Sequence, residues 1–283
     1  TQSGMKPTAV YGLLSETTAV FYSDQDKGFG KNVTTGNDIS DREDMGIRSK
    51  MVIDPTDNLR IKLSADYYEN SGSYGISNVP INNSPAIDGQ IGWDGDFHDI
   101  KTDIDGNIDR NDAWGLSATL DYDMEWATFR SITAHRELDS SYTGDLDATA
   151  VPLAEFPIDE SNEQFTQEFH LAGDLDNGAN WILGFYYLDA TSSYDPFRVQ
   201  GPLIGLQVQP LVDAGLLPAE LAASLVATEH YADMDTTSYA LFGQATFPIL
   251  TDTNLTLGAR YTYDEREIEA VGGLVEVVSR QVV

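Results

Sequence analysis

Residues 59–67 alternate without a break. Leu59, Ile61, Leu63, Ala65 and Tyr67 are apolar, and Arg60, Lys62, Ser64 and Asp66 between them are polar. A β-strand sends successive side chains to opposite faces, so such a segment has one oily and one wet side. Leu255, Leu257, Ala259, Tyr261 and Tyr263 repeat the pattern against Thr256, Gly258, Arg260, Thr262 and Asp264. Trp114, Leu116, Ala118, Leu120 and Tyr122 do so against Gly115, Ser117, Thr119 and Asp121. Three clean instances predict β structure. Weaker alternation over 7–14, 17–26, 43–54, 125–138, 162–173, 179–192 and 234–248 brings the expected total to about ten strands, with an eleventh if Leu274–Val283 begins another.

Many of these strands are longer than the five or six residues common in soluble sheets. Crossing a bilayer at a steep tilt takes about 9–11 residues. The connections alternate in length. Short turns are expected at Ser15–Glu16, Asp54–Asp57, Tyr122–Met124, Asp174–Gly178 and Leu250–Thr253, and long loops at 27–42, 71–110, 139–161 and 193–233. Short turns on one rim and long loops on the other mark an outer-membrane barrel, and a soluble sandwich has no reason to alternate in this way. The fold expected is therefore all-β, an antiparallel transmembrane β-barrel. Trp114, Tyr122, Trp126, Trp181, Tyr187, Tyr239, Phe247, Tyr261 and Tyr263 fall near strand ends, where aromatic girdles sit.

Composition removes several function classes. Sixteen basic against 46 acidic residues give a formal charge of −30, the wrong sign for binding nucleic acid through its phosphates. With 41% hydrophobic residues and 14 Tyr the chain is nonetheless no disordered acidic tail. It has no cysteine, hence no disulfide, thiolate zinc site or cysteine nucleophile. The most apolar stretch, Leu211–Ala227, is interrupted by Asp213, Pro218 and Glu220 and is too short for a transmembrane helix. The first residues, TQSGMKPTAV, do not read as a signal peptide. No enzyme is expected. His98, His135, His170 and His230 are scattered, no GxSxG elbow occurs, and GFGKNV at 28–33 lacks the third glycine of a dinucleotide fingerprint.

Several blocks resemble the barrel of TonB-dependent outer-membrane receptors, particularly those for siderophores and other iron complexes. They are residues 17–72, FRSITAHREL (129–138), ESNEQFTQEFHLAG (160–173) with NWILGFYY (180–187), and residues 236–266, in the family's order. The resemblance implies a bacterial outer-membrane location and a place in a barrel of roughly 22 strands around an N-terminal plug. It also implies import of a ferric siderophore or similar iron complex, driven by the inner-membrane TonB complex through that plug. Nothing here resembles the plug or its energy-coupling box, and VEVVSRQVV does not resemble the family's last strand, so residues 1–283 are expected to be part of one barrel domain. A passive porin-like channel and a soluble calcium-dependent glycan-binding β-protein are the alternatives.

Candidate contacts follow from the alternation. Arg48, Arg60, Lys62, Asp66, Arg260, Asp264 and Lys50 have the parity of the lumen. Arg60 and Arg260, with loop residues Tyr74, Trp93, His98, Tyr194 and Arg198, are the expected substrate contacts. Guanidinium and phenol groups suit the oxyanions of an iron complex. Asp103, Asp105, Asn107 and Asp109 place oxygen atoms at alternate residues around Gly106; a solvated acidic loop is the favoured reading, and a calcium site the alternative. Lys101 would occupy the first ligand position of an EF-hand and Asp112 the twelfth, so the match is imperfect. In the apolar loop 193–233, Pro218 is expected to open a short helix at Ala219, with Leu221 and Leu225 on one face. The acidic exterior is expected to meet lipopolysaccharide through bridging divalent cations, or to reflect a saline environment.

Overall fold

A computed structural model describes residues 14–25, 27–74, 98–105, 107–147, 149–219 and 225–276. Nine long strands form one antiparallel sheet in simple up-and-down order. They are β1 (Leu14–Gln25), β4 (Arg42–Thr56), β5 (Leu59–Tyr74), β6 (Asn107–Asp123), β7 (Thr128–Asp145), β8 (Glu155–Asp174), β9 (Asn180–Gln200), β10 (Leu225–Leu250) and β11 (Thr253–Glu276). Two-residue strands β2 (Gly30–Lys31) and β3 (Asp38–Ile39) pair within the loop between β1 and β4, and α1 (Pro202–Asp213) lies between β9 and β10. The edges of the sheet are β1 and β11. In lipid both edges need partner strands, because an unpaired backbone there has no water to bond.

Alternation locates the strands, but their ends lie further out than expected. β10 has 26 residues and β9 has 21. The loop expected over 139–161 is mostly strand, since β7 runs to Asp145 and β8 begins at Glu155. The charged and hydroxyl residues there read as loop chemistry, yet they keep their cross-strand partners in water above the apolar band. No turn occurs at Ser15–Glu16, which pair with Val52 and Met51 inside β1. Most of the strand expected at 7–14, and the end of that at 274–283, lie outside the described residues. Ala219, after Pro218, is helical as expected, with 220–224 outside the described residues, and the fourth loop also holds an earlier helix. It is α1, opened by Pro202, whose fixed φ and missing N–H suit a first helical turn. Leu225 belongs to β10 instead, and Leu221 lies outside the described residues.

Register puts the apolar residues in rows, interrupted on β7 by Ser131. Ile61, Leu120, Ser131, Phe169, Phe185, Leu241 and Tyr261 stand side by side across seven strands. Among the described residues no second layer covers this outer face. Leu257 and Leu241 are 58% and 64% exposed. In a soluble protein that exposure would be an aggregation surface; in a barrel it meets lipid. The small core lies instead in the loops. Ile39, Ile100 and Asn32 are fully or almost fully buried where the first two long loops clasp each other, and Ile204 and Val208 anchor α1.

Candidate functional site

The two faces of the sheet differ in chemistry at every level. On the outer face the apolar bands of β5, β6 and β11 are about nine residues long, enough to cross the hydrocarbon layer at a tilt. Aromatic residues close the band at both ends. Trp126 stacks on Trp181 at the short-turn rim, with centroids 6.3 Å apart. At the opposite end Tyr239 stacks on Tyr263 at 5.0 Å, and Phe165 contacts Tyr187. Just beyond that upper girdle begins a collar of carboxylates, which the ring donors cap. Tyr22 donates to Glu43, Tyr67 to Glu69 and Asp112, Tyr187 to Asp189, and the Trp114 indole to Glu137. An apolar ring body with a polar tip is suited to the boundary between lipid and water.

The inner face is ionic near the short turns. Arg60 holds Asp54 through two bonds of 2.7 and 3.1 Å. Lys62 and Arg130 share Asp121, and His170 lies 3.1 Å from Glu168. Arg136 reaches over Gly115 to Asp66, at 2.8 and 3.0 Å. Phe242 lies across Gly184 to meet the edge of His170, with Arg260 over its ring at 5.7 Å. Phe21 likewise crosses Gly46 toward Tyr68. In all three cases a missing Cβ on one strand lets residues two strands apart touch.

Toward the long loops the inner face gains rings and neutral polar groups, with charged groups still among them. Arg42 pairs with Asp44 at 2.7 Å, and Tyr68 donates to the same carboxylate. Ser140, Asn111 and Asp109 form a chain of hydrogen bonds. Tyr142 packs on Phe156 and Phe197 on His230, with Tyr194 exposed nearby in sequence. This upper wall is the candidate solute-contact surface. Several of its donors and acceptors are held by neighbours, and its rings offer flat apolar area for stacking.

The expected contact residues are scattered over the wall. Tyr194 is on the upper inner wall, opposite Ala232 and Glu160. Tyr74 is the last paired residue of β5, opposite Asn107. His98 sits where the second loop meets Gly30, and Trp93 lies outside the described residues. Arg60 and Arg260 face inward, but Arg60 is at the short-turn rim, tied to Asp54. Arg198 pairs with Glu229 on the outer face. Sequence reasoning missed Tyr68, Tyr142, Phe156, Phe197 and His230. Extending the lumen parity beyond the apolar stretches would have reached those in β5 and β7, whereas a register irregularity between Ile158 and Glu160 shifts it in β9.

Of the expected oxygen ligands, Asp105 accepts bonds from Asn32, Thr35 and Asn37. Asp103 donates its backbone N–H to Thr149, and Asp109 accepts from Asn111. Nothing is described of the Asn107 side chain. Burial, with Asp147 and Glu155 nearby, raises the Asp103 pKa above the ordinary carboxylate value. The second loop thus spends its best-placed carboxylate on fastening itself to the first.

The profile of the family described as "TonB dependent receptor-like, beta-barrel" matches residues 18–277. A comparison with curated protein sequences returned no match. Among solved structures the chain is similar to the ferric yersiniabactin uptake receptor FyuA from Yersinia pestis, with a TM-score of 0.66 at 13% identity. That similarity covers 94% of this chain and 36% of FyuA, so the chain spans about a third of that receptor's length. The family is one of transport receptors of the bacterial outer membrane and not of enzymes. The match over nearly the whole chain, with the lipid-facing rows and short-turn, long-loop order, makes this chain a member of the TonB-dependent receptor β-barrel family.

Proposed function

We propose that this chain supplies wall and extracellular loops to a receptor that imports a ferric siderophore or a similar iron complex. The inner-membrane TonB complex would provide the energy. The observation that carries the reading is the division of the inner face: an aromatic, hydrogen-bonded upper wall beneath long loops, above an ion-paired lower wall. Solute is caught at the mouth, where Tyr142, Phe156, Tyr194, Phe197 and His230 offer stacking surface, and Tyr74, Trp93 and His98, at the connection between β5 and β6, are proposed as further contacts. Arg60 and Arg260 act deeper, on the wall that the solute passes. The outer carboxylate collar meets the lipopolysaccharide layer, through divalent cations that bridge it to the lipid phosphates.

The test is uptake of radiolabelled iron by a strain lacking the full-length receptor, across a panel of siderophores. At least one ferric complex should lose uptake on deletion and regain it with the wild-type gene only when the TonB complex is intact. Uptake that persists without TonB indicates a passive channel, and unchanged uptake across the panel overturns the iron assignment. In the complemented strain, Tyr142→Ala or Tyr194→Ala should raise the half-saturating concentration, whereas Arg198→Ala, outward-facing and paired with Glu229, should not.

A further inference from the structure

On the outer surface of β7 and β8, just above the apolar band, an imidazole and two carboxylates converge. His135 and Glu137 are two residues apart on β7 and share a face, and Glu163 stands directly opposite Glu137 on β8. His135 Nε2 lies 2.9 Å from Glu137 Oε1 and 3.9 Å from Glu163 Oε1, and all three ligand atoms fall within 4.8 Å of one another. A tetrahedral ion with ligands at about 2.0–2.2 Å requires ligand atoms roughly 3.4 Å apart. The cluster needs only small rotamer adjustments to reach that spacing.

Two further features make this more than an acidic patch. The second oxygen of Glu137 accepts a bond from the Trp114 indole at 3.1 Å, and the Trp114 ring packs against His135 with centroids 5.1 Å apart. One residue therefore orients two of the ligands, as outer partners do around bound metals. In addition, Glu137 and Glu163 form a directly opposed like-charge pair, which destabilises a sheet unless a cation lies between them. Their same-face neighbours are Trp114, Thr191, Leu116, Phe165, Asp189, Asp112, Asp139, Ser161 and Ser193, none of them basic. We propose that His135, Glu137 and Glu163 form a binding site for a divalent cation of the zinc and copper class. The imidazole selects for such ions over calcium and magnesium, which prefer oxygen alone. The remaining coordination positions open outward to water and the headgroup layer. The ion pins β7 to β8 where the strands leave the lipid.

The site is tested on the full-length receptor purified in detergent and freed of metal with a chelator. Copper(II) quenches nearby indoles, so titration should quench Trp114 emission at a single saturating ion, and Trp114→Phe should abolish that component. Zinc should compete for the site, and millimolar calcium should not. His135→Asn and Glu163→Gln should each weaken binding roughly tenfold or more. Both variants should keep the heat-modifiable gel mobility of a folded barrel, which separates lost binding from lost folding. The proposal is overturned if quenching survives His135→Asn in folded protein, if calcium displaces copper, or if zinc does not compete. The result is independent of the transported solute.

Discussion

Asn32 sits fully buried within a stretch that reads as an ordinary polar loop. Its amide donates to the backbone oxygens of Thr102 and Ile104 at 3.0 and 2.7 Å, and its own oxygen accepts from the Thr34 N–H. Val33 and Ile100 add backbone bonds on either side. Truncating the amide strands the buried Thr102 carbonyl and leaves that of Ile104 with the Thr102 hydroxyl as its donor, so Asn32→Ala should destabilise the clasp by about 1–3 kcal/mol. Amide exchange over 31–40 and 98–105 should accelerate while strands β5 and β6 stay protected; global acceleration would show the clasp to be part of the barrel's own cooperative unit. Asp103 gives a second residue-scale expectation. Its docked environment favours the protonated acid, so the folded loop holds that proton more tightly than the unfolded one. That contribution is fully present below the ordinary carboxylate range and is lost as the pH rises through the raised folded value. Protection of the Asp103 amide, which donates to Thr149, should fall over that rise, and Asp103→Asn should flatten the dependence. A pH-independent protection factor in the wild type would refute the assignment.

At the scale of a strand, the same alternation carries two kinds of information, and only one is visible locally. Which face a residue takes is legible from parity: Arg48, Lys62, Asp66, Arg260 and Asp264 all fall on the inner face by register. Where a strand ends is not, because paired strands continue into water on backbone bonds that any side chain permits. Partners two strands away are also invisible, since they depend on a glycine in between. Gly115 is the clearest case. A Cβ there would come within 2.9 Å of Arg136 Nη2, driving the guanidinium off Asp66. In a double-mutant cycle, Asp66→Asn and Arg136→Gln should couple by about 0.5–1 kcal/mol, since both groups are partly exposed. In the Gly115→Val background that coupling should vanish. The oxygen-rich run from Asp103 to Asp109 shows the converse limit. Its spacing suggested a cation loop, but Asn32, Thr35 and Asn37, about 70 residues earlier, supply the donors that engage Asp105. Only tertiary structure brings them together.

For the molecule as a whole, the decisive question is what the outer face touches, because every functional statement depends on having a lipid side and a lumen side. Leu63 and Ser64 are adjacent at the middle of one nine-residue span, and they differ only in parity. Leu63 lies in the row with Met51 and Ala118, on the apolar face, and Ser64 lies with Lys50 and Ser117, on the polar one. An arginine at the bilayer midplane costs about 2–4 kcal/mol when it faces lipid and little when it faces a hydrated lumen. Leu63→Arg should therefore lower the stability of the full-length barrel refolded into vesicles by that amount, in a urea titration, and Ser64→Arg should stay within about 0.5 kcal/mol of wild type. The order of the two effects matters more than their size. A protein that buried this face against another protein layer would also suffer from Leu63→Arg, but the penalty would be independent of the bilayer. Thicker bilayers should enlarge the Leu63→Arg penalty because they draw that position deeper into hydrocarbon, and they should leave Ser64→Arg unchanged. A penalty insensitive to lipid thickness would mean that parity here separates core from surface, and the pore reading of the inner face would fall with it.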